Sequence, residues 1–250
     1  MPESQSQNFN HLKIHTQYSI CEGAAKIDDL QDYSKNNKLK SLGLCDSTNL
    51  CGALEFAEKI SKSGTQPIIG TQINFTFNET TGLLPLFALD IDGYRKIIEL
   101  SSKSYLENKK ISEPNLDLND LLELDNSGIA IFTGTVFGLF GKLFEKGKFL
   151  ELTNLYKNLR DIFDDRFYIE IQRHNDKNEK NFEQFNLQKS KQIDIPIIAS
   201  DEIFYLNKDM YEAHDALICI GEKNFVDDKN RFKYSKEHYL KSTNDLKTLY

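Results

Sequence analysis

The chain has few cysteines, and they form no disulfide or metal motif. Cys21, Cys45, Cys51 and Cys219 are the only four, and none has the paired C-x-x-C spacing of a zinc knuckle. Residues 1–8 are polar and carry no hydrophobic leader segment. The pattern favours a reducing, cytoplasmic setting, and the apolar context of each cysteine predicts a small core residue.

Long apolar runs and an excess of positive charge are also lacking. No stretch approaches the roughly 20 apolar residues that cross a bilayer, so no membrane association is expected. The formal net charge is -7 and the pI is near 5.4. Because an acidic chain repels the phosphates of a nucleic acid, we do not expect strong DNA binding by these residues alone.

The composition that remains is that of a folded α/β protein. The 250 residues are 39% hydrophobic and include 17 Phe and 11 Tyr, which is ample material for a packed core. Seven short apolar runs predict strands at 11–16, 41–45, 73–77, 83–89, 128–133, 167–172 and 196–200. Amphipathic stretches predict helices at 26–37, 52–63, 93–106, 138–147, 149–163, 178–192 and 210–220. The alternation predicts a largely parallel sheet, closed as a barrel or open and doubly wound.

Chemically active residues follow several of these strands. His15 ends the first strand, Asp46 and Ser47 end the second, and Asp201 and Glu202 follow the last. The carboxyl ends of parallel strands meet at one face, so these side chains are expected to share a pocket.

The first strand has the spacing of a metal site but not its full chemistry. Alternation places His11, Lys13 and His15 on one face of the strand. A His-x-His pair is a common way to bind one metal ion with two imidazoles, whereas the ammonium of Lys13 repels a cation.

Six segments together resemble the PHP (polymerase and histidinol phosphatase) domain found at the amino terminus of bacterial DNA polymerase III alpha subunits. These segments are His11–Ser19, Gly23–Leu30, Asn49–Phe56, Lys62–Gly70, Asp92–Arg95 and Ala213–Cys219. The resemblance implies a distorted seven-stranded β/α barrel over residues 9–220, with mostly parallel strands and outer helices. It also implies a disordered stretch at 1–8 and an extension at 221–250 that leads into a polymerase region beyond Tyr250.

Members of this family that keep their metal site bind up to three ions at nine positions, and these ions support phosphoester hydrolysis. By this resemblance, His15, Glu22 and Glu202 alone have side chains that can still bind a metal ion. The six changed positions are Lys13, Ser47, Gln72, Leu83, Thr135 and Phe204. The resemblance therefore implies a vestigial site that binds no metal and contains no catalytic residue.

Each of these residues also has a structural interpretation. Lys13 is expected to pair with Glu22, Asp46 or Glu202, and His15 to be a hydrogen-bonded barrel residue. Asp46 is expected to cap the following helix or a turn.

The remaining histidines are expected to have structural roles. His174 could face the pocket, but a solvated loop position is the favoured interpretation. His214 is expected to make a buried polar contact, and His238 to be exposed.

Two functions remain open. The first is a metal-free scaffold within the alpha subunit that docks the separate proofreading exonuclease, while DNA and Mg²⁺ are bound by the rest of that subunit. The second is an active phosphoesterase, a 3′-5′ exonuclease or pyrophosphatase, whose Zn²⁺ or Mn²⁺ site is completed by residues such as Asp46 and His174. A free-standing histidinol phosphatase is disfavoured because most of the imidazoles are missing.

Overall fold

Strands and helices alternate along the residues that the computed structural model describes, which are 9–107, 114–125 and 127–250. The strands are β1 Lys13–Ile14, β2 Ser41–Ser47, β3 Gln66–Phe77, β4 Thr80–Ala88, β5 Leu116–Asp117, β6 Ile129–Phe132, β7 Phe167–Ile171, β8 Ile197–Ala199 and β9 Glu202–Ile203. The helices are α1 Ile27–Asn36, α2 Ala53–Lys62, α3 Ile91–Leu106, α4 Leu118–Leu122, α5 Leu139–Glu145, α6 Phe149–Phe163, α7 Glu179–Ile193, α8 Tyr211–Glu222 and α9 Thr243–Leu249. The disorder expected at 1–8 lies outside the described residues.

The strands form a curled, mixed sheet with helices packed on its outside. Its strand order is β2-β3-β4-β6-β7-β8, with β5 paired to β3, and β1 forms a separate pair with β9. Five of the seven strand pairings are parallel, and β4 runs antiparallel to both of its neighbours. The predicted distorted barrel with mostly parallel strands is thus confirmed.

Strands β3 and β4 form an antiparallel hairpin, and their bounds differ from the predicted ones. Strand β3 begins at Gln66, well before the predicted start at residue 73, and turns directly into β4. Asn78 and Glu79 form the turn, with φ of 44° and 63°. Two consecutive left-handed residues are typical of a type I′ turn, whose twist matches the twist of the paired strands.

The first strand is shorter than expected, and the residue before it lies very close to β2. Only Lys13 and Ile14 pair regularly, in parallel with Glu202 and Ile203. A Cβ atom on Gly43 would lie 2.3 Å from the carbonyl oxygen of Leu12. Only glycine therefore allows the two backbones to approach this closely.

The hydrophobic core has two main parts. One lies between the sheet and helices α3, α5 and α6, and it includes Phe140 and Tyr156 with ring centroids 4.8 Å apart. The other lies between α1, α2 and β2. Cys45 and Cys219 are buried as predicted, whereas Cys51 is exposed at the turn before α2 and Cys21 is only partly buried.

The segment 221–250 packs on the barrel. Tyr239 forms a bridge to Tyr205, and Leu246 is fully buried. The hydroxyl of Tyr250 donates to the carbonyl oxygens of Ser200 and Ile171, at 2.7 and 3.2 Å. No helix in the described part of the chain is long and apolar enough to cross a membrane.

Candidate functional site

The centre of the candidate site is a buried group of charges at the β1–β9 pair. Lys13 stands in register with Glu202, and its Nζ lies 3.0 Å from Glu202 Oε1 and 3.5 Å from Glu170 Oε1. The side chains of Lys13 and Glu170 are inaccessible to solvent, and that of Glu202 is almost so. The contact between Lys13 Nζ and Glu202 Oε1 is an ion pair. Its geometry is not that of a hydrogen bond.

The charged forms of this pair stabilise each other. Burial alone would lower the pKa of Lys13, but the carboxylates of Glu170 and Glu202 hold that pKa above its ordinary value. Burial alone would raise the pKa of Glu202, yet Lys13, followed by His15, holds it well below its usual range. The lysine therefore stays an ammonium ion and the glutamate a carboxylate.

The prediction for Lys13 was correct for one partner and missed the other. Glu202 was among the three acids expected to pair with it, but Glu170 was not. Glu170 is an isolated acid in the otherwise apolar strand β7, and its Oε1 also accepts from Gln172 at 2.8 Å and from Ser200. A lone charge in an apolar strand was the available signal.

His15 and Gln72 complete the surroundings of Glu202. His15 Nε2 lies 3.2 Å and Gln72 Nε2 lies 3.0 Å from the same Oε1 atom that Lys13 contacts. The ring of Phe204 stacks on His15 with centroids 4.6 Å apart, and Ser47 Oγ lies 3.4 Å from His15 Nδ1. Burial alone would lower the pKa of His15, but the carboxylates of Glu202 and Glu22 raise it. The expectation of a hydrogen-bonded barrel histidine is confirmed.

Asp46 has a different role from the helix cap or turn that was expected. It is fully buried and accepts from the Thr16 amide at 2.6 Å, the Thr16 hydroxyl at 2.8 Å and the Ser19 hydroxyl at 2.7 Å. Burial raises its pKa, and these hydrogen bonds partly oppose that rise. Asp46 fastens the loop after β1, which the sequence could not show because all three donors are distant from it along the chain.

Four predicted residues line two other openings. Leu83, Glu22 and Ser47 line a groove of about 370 Å³, together with Ile20 and Phe232 from other parts of the chain. Thr135 instead lines a small cavity on the other side of Glu170.

A second buried cluster contains His174 and His238, and both were misplaced by the sequence analysis. His174 was expected to be solvated and His238 exposed, but their exposed fractions are 0% and 1%. His174 Nε2 lies 2.9 Å from Asp201, and His238 Nε2 lies 2.9 Å from Asp176. The two rings are stacked 4.1 Å apart. These partners lie 27 and 62 positions apart along the chain, so no local sequence pattern indicated the cluster.

The expectation for His214 is confirmed. Its Nε2 lies 2.8 Å from the carbonyl oxygen of Glu22, and burial lowers its pKa to about 4. The ring is therefore neutral near pH 7 and donates this hydrogen bond.

The model of the PHP domain family matches residues 11–174, about two thirds of the chain. The chain belongs to the PHP domain family. It is similar to the DNA polymerase III subunit alpha of Caulobacter vibrioides, with 31% identity over 258 residues that cover 100% of this chain and 22% of that protein. The corresponding subunit of Haemophilus influenzae is 30% identical over 99% of this chain and 22% of its own length. This PHP chain thus spans about a fifth of the length of these relatives.

A solved structure supports the fold independently. An amidohydrolase from Chromobacterium violaceum, described with bound sulfate and no metal, superposes with a TM-score of 0.50. The match covers 83% of this chain and 96% of that one, at 10% identity, and it bears on the fold alone.

The PHP ligand positions come together in space only in part. Lys13, His15, Gln72 and Glu202 meet directly, and Glu22 approaches with Oε2 at 4.0 Å from His15 Nδ1. Three nitrogen atoms, from an ammonium, an imidazole and an amide, surround Oε1 of Glu202. Lys13, His15, Gln72 and Glu202 thus form a buried charge cluster in this PHP pocket.

Proposed function

We propose that this chain is the PHP domain of a replicative DNA polymerase III alpha subunit, and that it acts there as a scaffold without phosphoesterase activity. The single observation that carries the proposal is the position of Lys13, whose ammonium lies between Glu170 and Glu202. A fixed ammonium supplies the positive charge that neutralises two buried acids, but it cannot activate water as a metal ion does.

The competing phosphoesterase hypothesis needs unusual ligands, and one of them, Asp46, already accepts hydrogen bonds from other groups. Asp46 was proposed to complete such a site, but both of its oxygens accept hydrogen bonds from the loop after β1. A carboxylate that orders a buried loop would have to abandon these donors in order to bind an ion, which costs free energy for each bond lost.

The remaining part of the proposal concerns partners. Polymerisation, DNA binding and the Mg²⁺ they require would belong to the rest of the alpha subunit, since this PHP chain is acidic and spans about a fifth of its relatives. The proposed setting is the bacterial cytoplasm. The proposed binding partner is the separate proofreading exonuclease subunit, because a polymerase without hydrolytic activity of its own needs proofreading by another chain.

We assign this docking to the groove of about 370 Å³ that Glu22, Ser47 and Leu83 line. Its rim carries Ile20, which is 84% exposed, and Phe232, which is 41% exposed. Large apolar side chains around a concave opening are typical of protein interfaces.

Catalysis is tested by measuring release of 3′-terminal nucleotides from single-stranded DNA, and hydrolysis of pyrophosphate, with Mg²⁺, Mn²⁺ or Zn²⁺. The matched variant is Glu22→Gln, which removes a retained ligand from a partly exposed position. We expect equal background rates for both proteins. Metal-dependent hydrolysis that falls at least about tenfold in Glu22→Gln would establish the phosphoesterase instead.

Docking is tested by titrating the exonuclease subunit against the wild-type chain and two surface variants. Ile20→Asp should weaken binding by on the order of tenfold or more, because it places a charge in an apolar contact. Leu54→Asp is the control, since Leu54 is 72% exposed on α2 and does not line the groove. Equal affinities for all three proteins would refute the surface, and no binding of the wild type would refute the partner.

A further inference from the structure

The second buried cluster has the composition of a metal site that is distinct from the PHP ligand positions. One ring nitrogen each from His174 and His238 and one carboxylate oxygen of Asp176 lie within 4.8 Å of one another. His174 and Asp176 belong to the loop between β7 and α7, whereas His238 lies just before the bridge residue Tyr239. Two imidazoles and one carboxylate are a ligand set that Zn²⁺ commonly takes in proteins.

Both imidazoles are already oriented by partners on their far sides. His174 Nε2 lies 2.9 Å from Asp201 Oδ1 and 3.2 Å from the backbone nitrogen of Glu202. Burial alone would lower the pKa of His174, but Asp201 and Glu179 raise it to about 9, so a metal ion would have to displace a proton from this ring. His238 Nδ1 donates to the carbonyl oxygen of Glu202 at 3.0 Å. Ligand histidines characteristically have such a partner on the second nitrogen, which orients the ring while the first nitrogen binds the metal.

The nitrogen left over on His174 has no hydrogen-bond partner among the described residues. His174 Nδ1 is buried, and its nearest carboxylate oxygen, Glu179 Oε1, is 3.5 Å away. Glu179 uses its two oxygens to accept the amides of His174 and Asn175, both at 2.8 Å. A buried ring nitrogen without a partner is costly, and a metal ion is one group that would satisfy it.

Space for one more ligand lies beside the group. Asp176, Glu179 and Thr135 line a cavity of about 10 Å³, which is about the volume that one water molecule needs. Zinc sites with three protein ligands characteristically add a water as the fourth.

We infer that His174, Asp176 and His238 form a mononuclear zinc site that joins the loop after β7 to the segment around Tyr239. The rings now lie nearly parallel, with 5° between their planes, so zinc binding requires one ring to tilt until both nitrogens face the ion. The ion would replace the direct His238–Asp176 contact with a bond to each residue. None of the three residues is a PHP ligand position, so the inference stands whether or not that pocket is catalytic, and both histidines contact the backbone of Glu202 at its edge.

The test is calorimetric titration of the metal-stripped 250-residue chain with Zn²⁺ at pH 7, with thermal unfolding as a second readout. Wild type should bind one equivalent and unfold at a higher temperature with zinc than without it. Asp176→Asn retains a side chain of the same shape that can hydrogen-bond with His238, but it loses the anionic ligand. Its affinity should fall more than about 100-fold, beyond the effect typical of an outer-shell partner.

Two controls separate this inference from the proposed function. The near-ultraviolet circular dichroism of zinc-free Asp176→Asn should match that of wild type, which shows that the fold is retained. Glu22→Gln alters the PHP pocket alone and should leave zinc affinity unchanged. Absence of zinc binding by wild type would overturn the inference and leave the scaffold proposal standing. Loss of binding in Glu22→Gln but not in Asp176→Asn would place the ion in the PHP pocket, which would overturn both.

Discussion

At the scale of single residues, Lys13 shows how a side-chain ammonium can neutralise two carboxylates in a buried pocket. Glu202 and Glu170 would repel each other if no cation lay between them, and burial would make each negative charge costly. A lysine on the adjacent strand provides a covalently attached cation at the required position. Its tertiary contacts, not its intrinsic chemistry, make it compatible with the core.

We expect Lys13→Ala to destabilise the fold by roughly 3 kcal/mol at pH 7, because it leaves two buried carboxylates without their cation. Urea denaturation of both proteins measures the difference. Lys208→Ala is the control, since that lysine pairs with Glu237 at the surface and should matter much less. An unchanged midpoint for Lys13→Ala would mean that the ion pair does not contribute to stability.

His214 should make the fold sensitive to acid. Its pKa is lowered to about 4 by burial, whereas an unfolded histidine titrates near 6.5. The unfolded state therefore binds a proton first, so this contribution is fully present above about pH 6.5 and is lost as the pH falls toward 4. The loss should approach about 3 kcal/mol. His214→Gln should show a shallower decline in unfolding free energy over this window, and parallel curves for the two proteins would contradict the assignment.

At the scale of elements, the β3–β4 hairpin decides which strands are antiparallel. Its two-residue turn places Asn78 and Glu79 in the left-handed region, and Lys148 Nζ donates to the carbonyl oxygen of Asn78 at 3.0 Å. Asparagine tolerates this region, but glutamate has no such preference. Pairing along eight residues of each strand compensates for the unfavourable turn residue.

Glu79→Gly should therefore stabilise the protein by up to about 1 kcal/mol, because Asn-Gly is the preferred sequence of a type I′ turn. Thermal unfolding monitored by circular dichroism measures the gain. Glu79→Ala is the matched control, which removes the same side chain but keeps the Cβ atom that disfavours positive φ. A lower midpoint for Glu79→Gly than for Glu79→Ala would show that the turn is not strained.

At the scale of the whole molecule, residues 221–250 contribute to the barrel itself. Leu246 is buried, Arg231 pairs with Asp215 through both of its terminal nitrogens, and Lys241 Nζ lies 2.9 Å from Asp201. Tyr250 satisfies two carbonyl groups at the ends of β7 and β8. The segment thus supplies both apolar and charged partners to residues far away along the chain.

A chain that ends at residue 222 should be much less stable, because it loses the buried Leu246 and the Lys241 and Arg231 side chains that pair with Asp201 and Asp215. We expect the thermal midpoint to fall by on the order of 10 °C or more, together with faster proteolysis. The comparison is the full 250-residue chain under identical conditions. Equal midpoints would support a domain boundary at residue 220.

The sequence by itself determined the repeated pattern of strands and helices, the family, and the residues at the strand ends. Local periodicity and motif order carry this information, because the strand and helix patterns extend over only a few residues. It also indicated that Lys13 needs an acidic partner, since a charge on a core-facing position must be neutralised.

Only the tertiary structure decided which partners meet. Glu170 reaches Lys13 from a strand more than 150 residues away, and His174 meets His238 across 64 residues. The antiparallel direction of β4 and the role of Asp46 likewise depend on contacts between distant segments. Such contacts are set by how the whole core packs, and no local pattern encodes them.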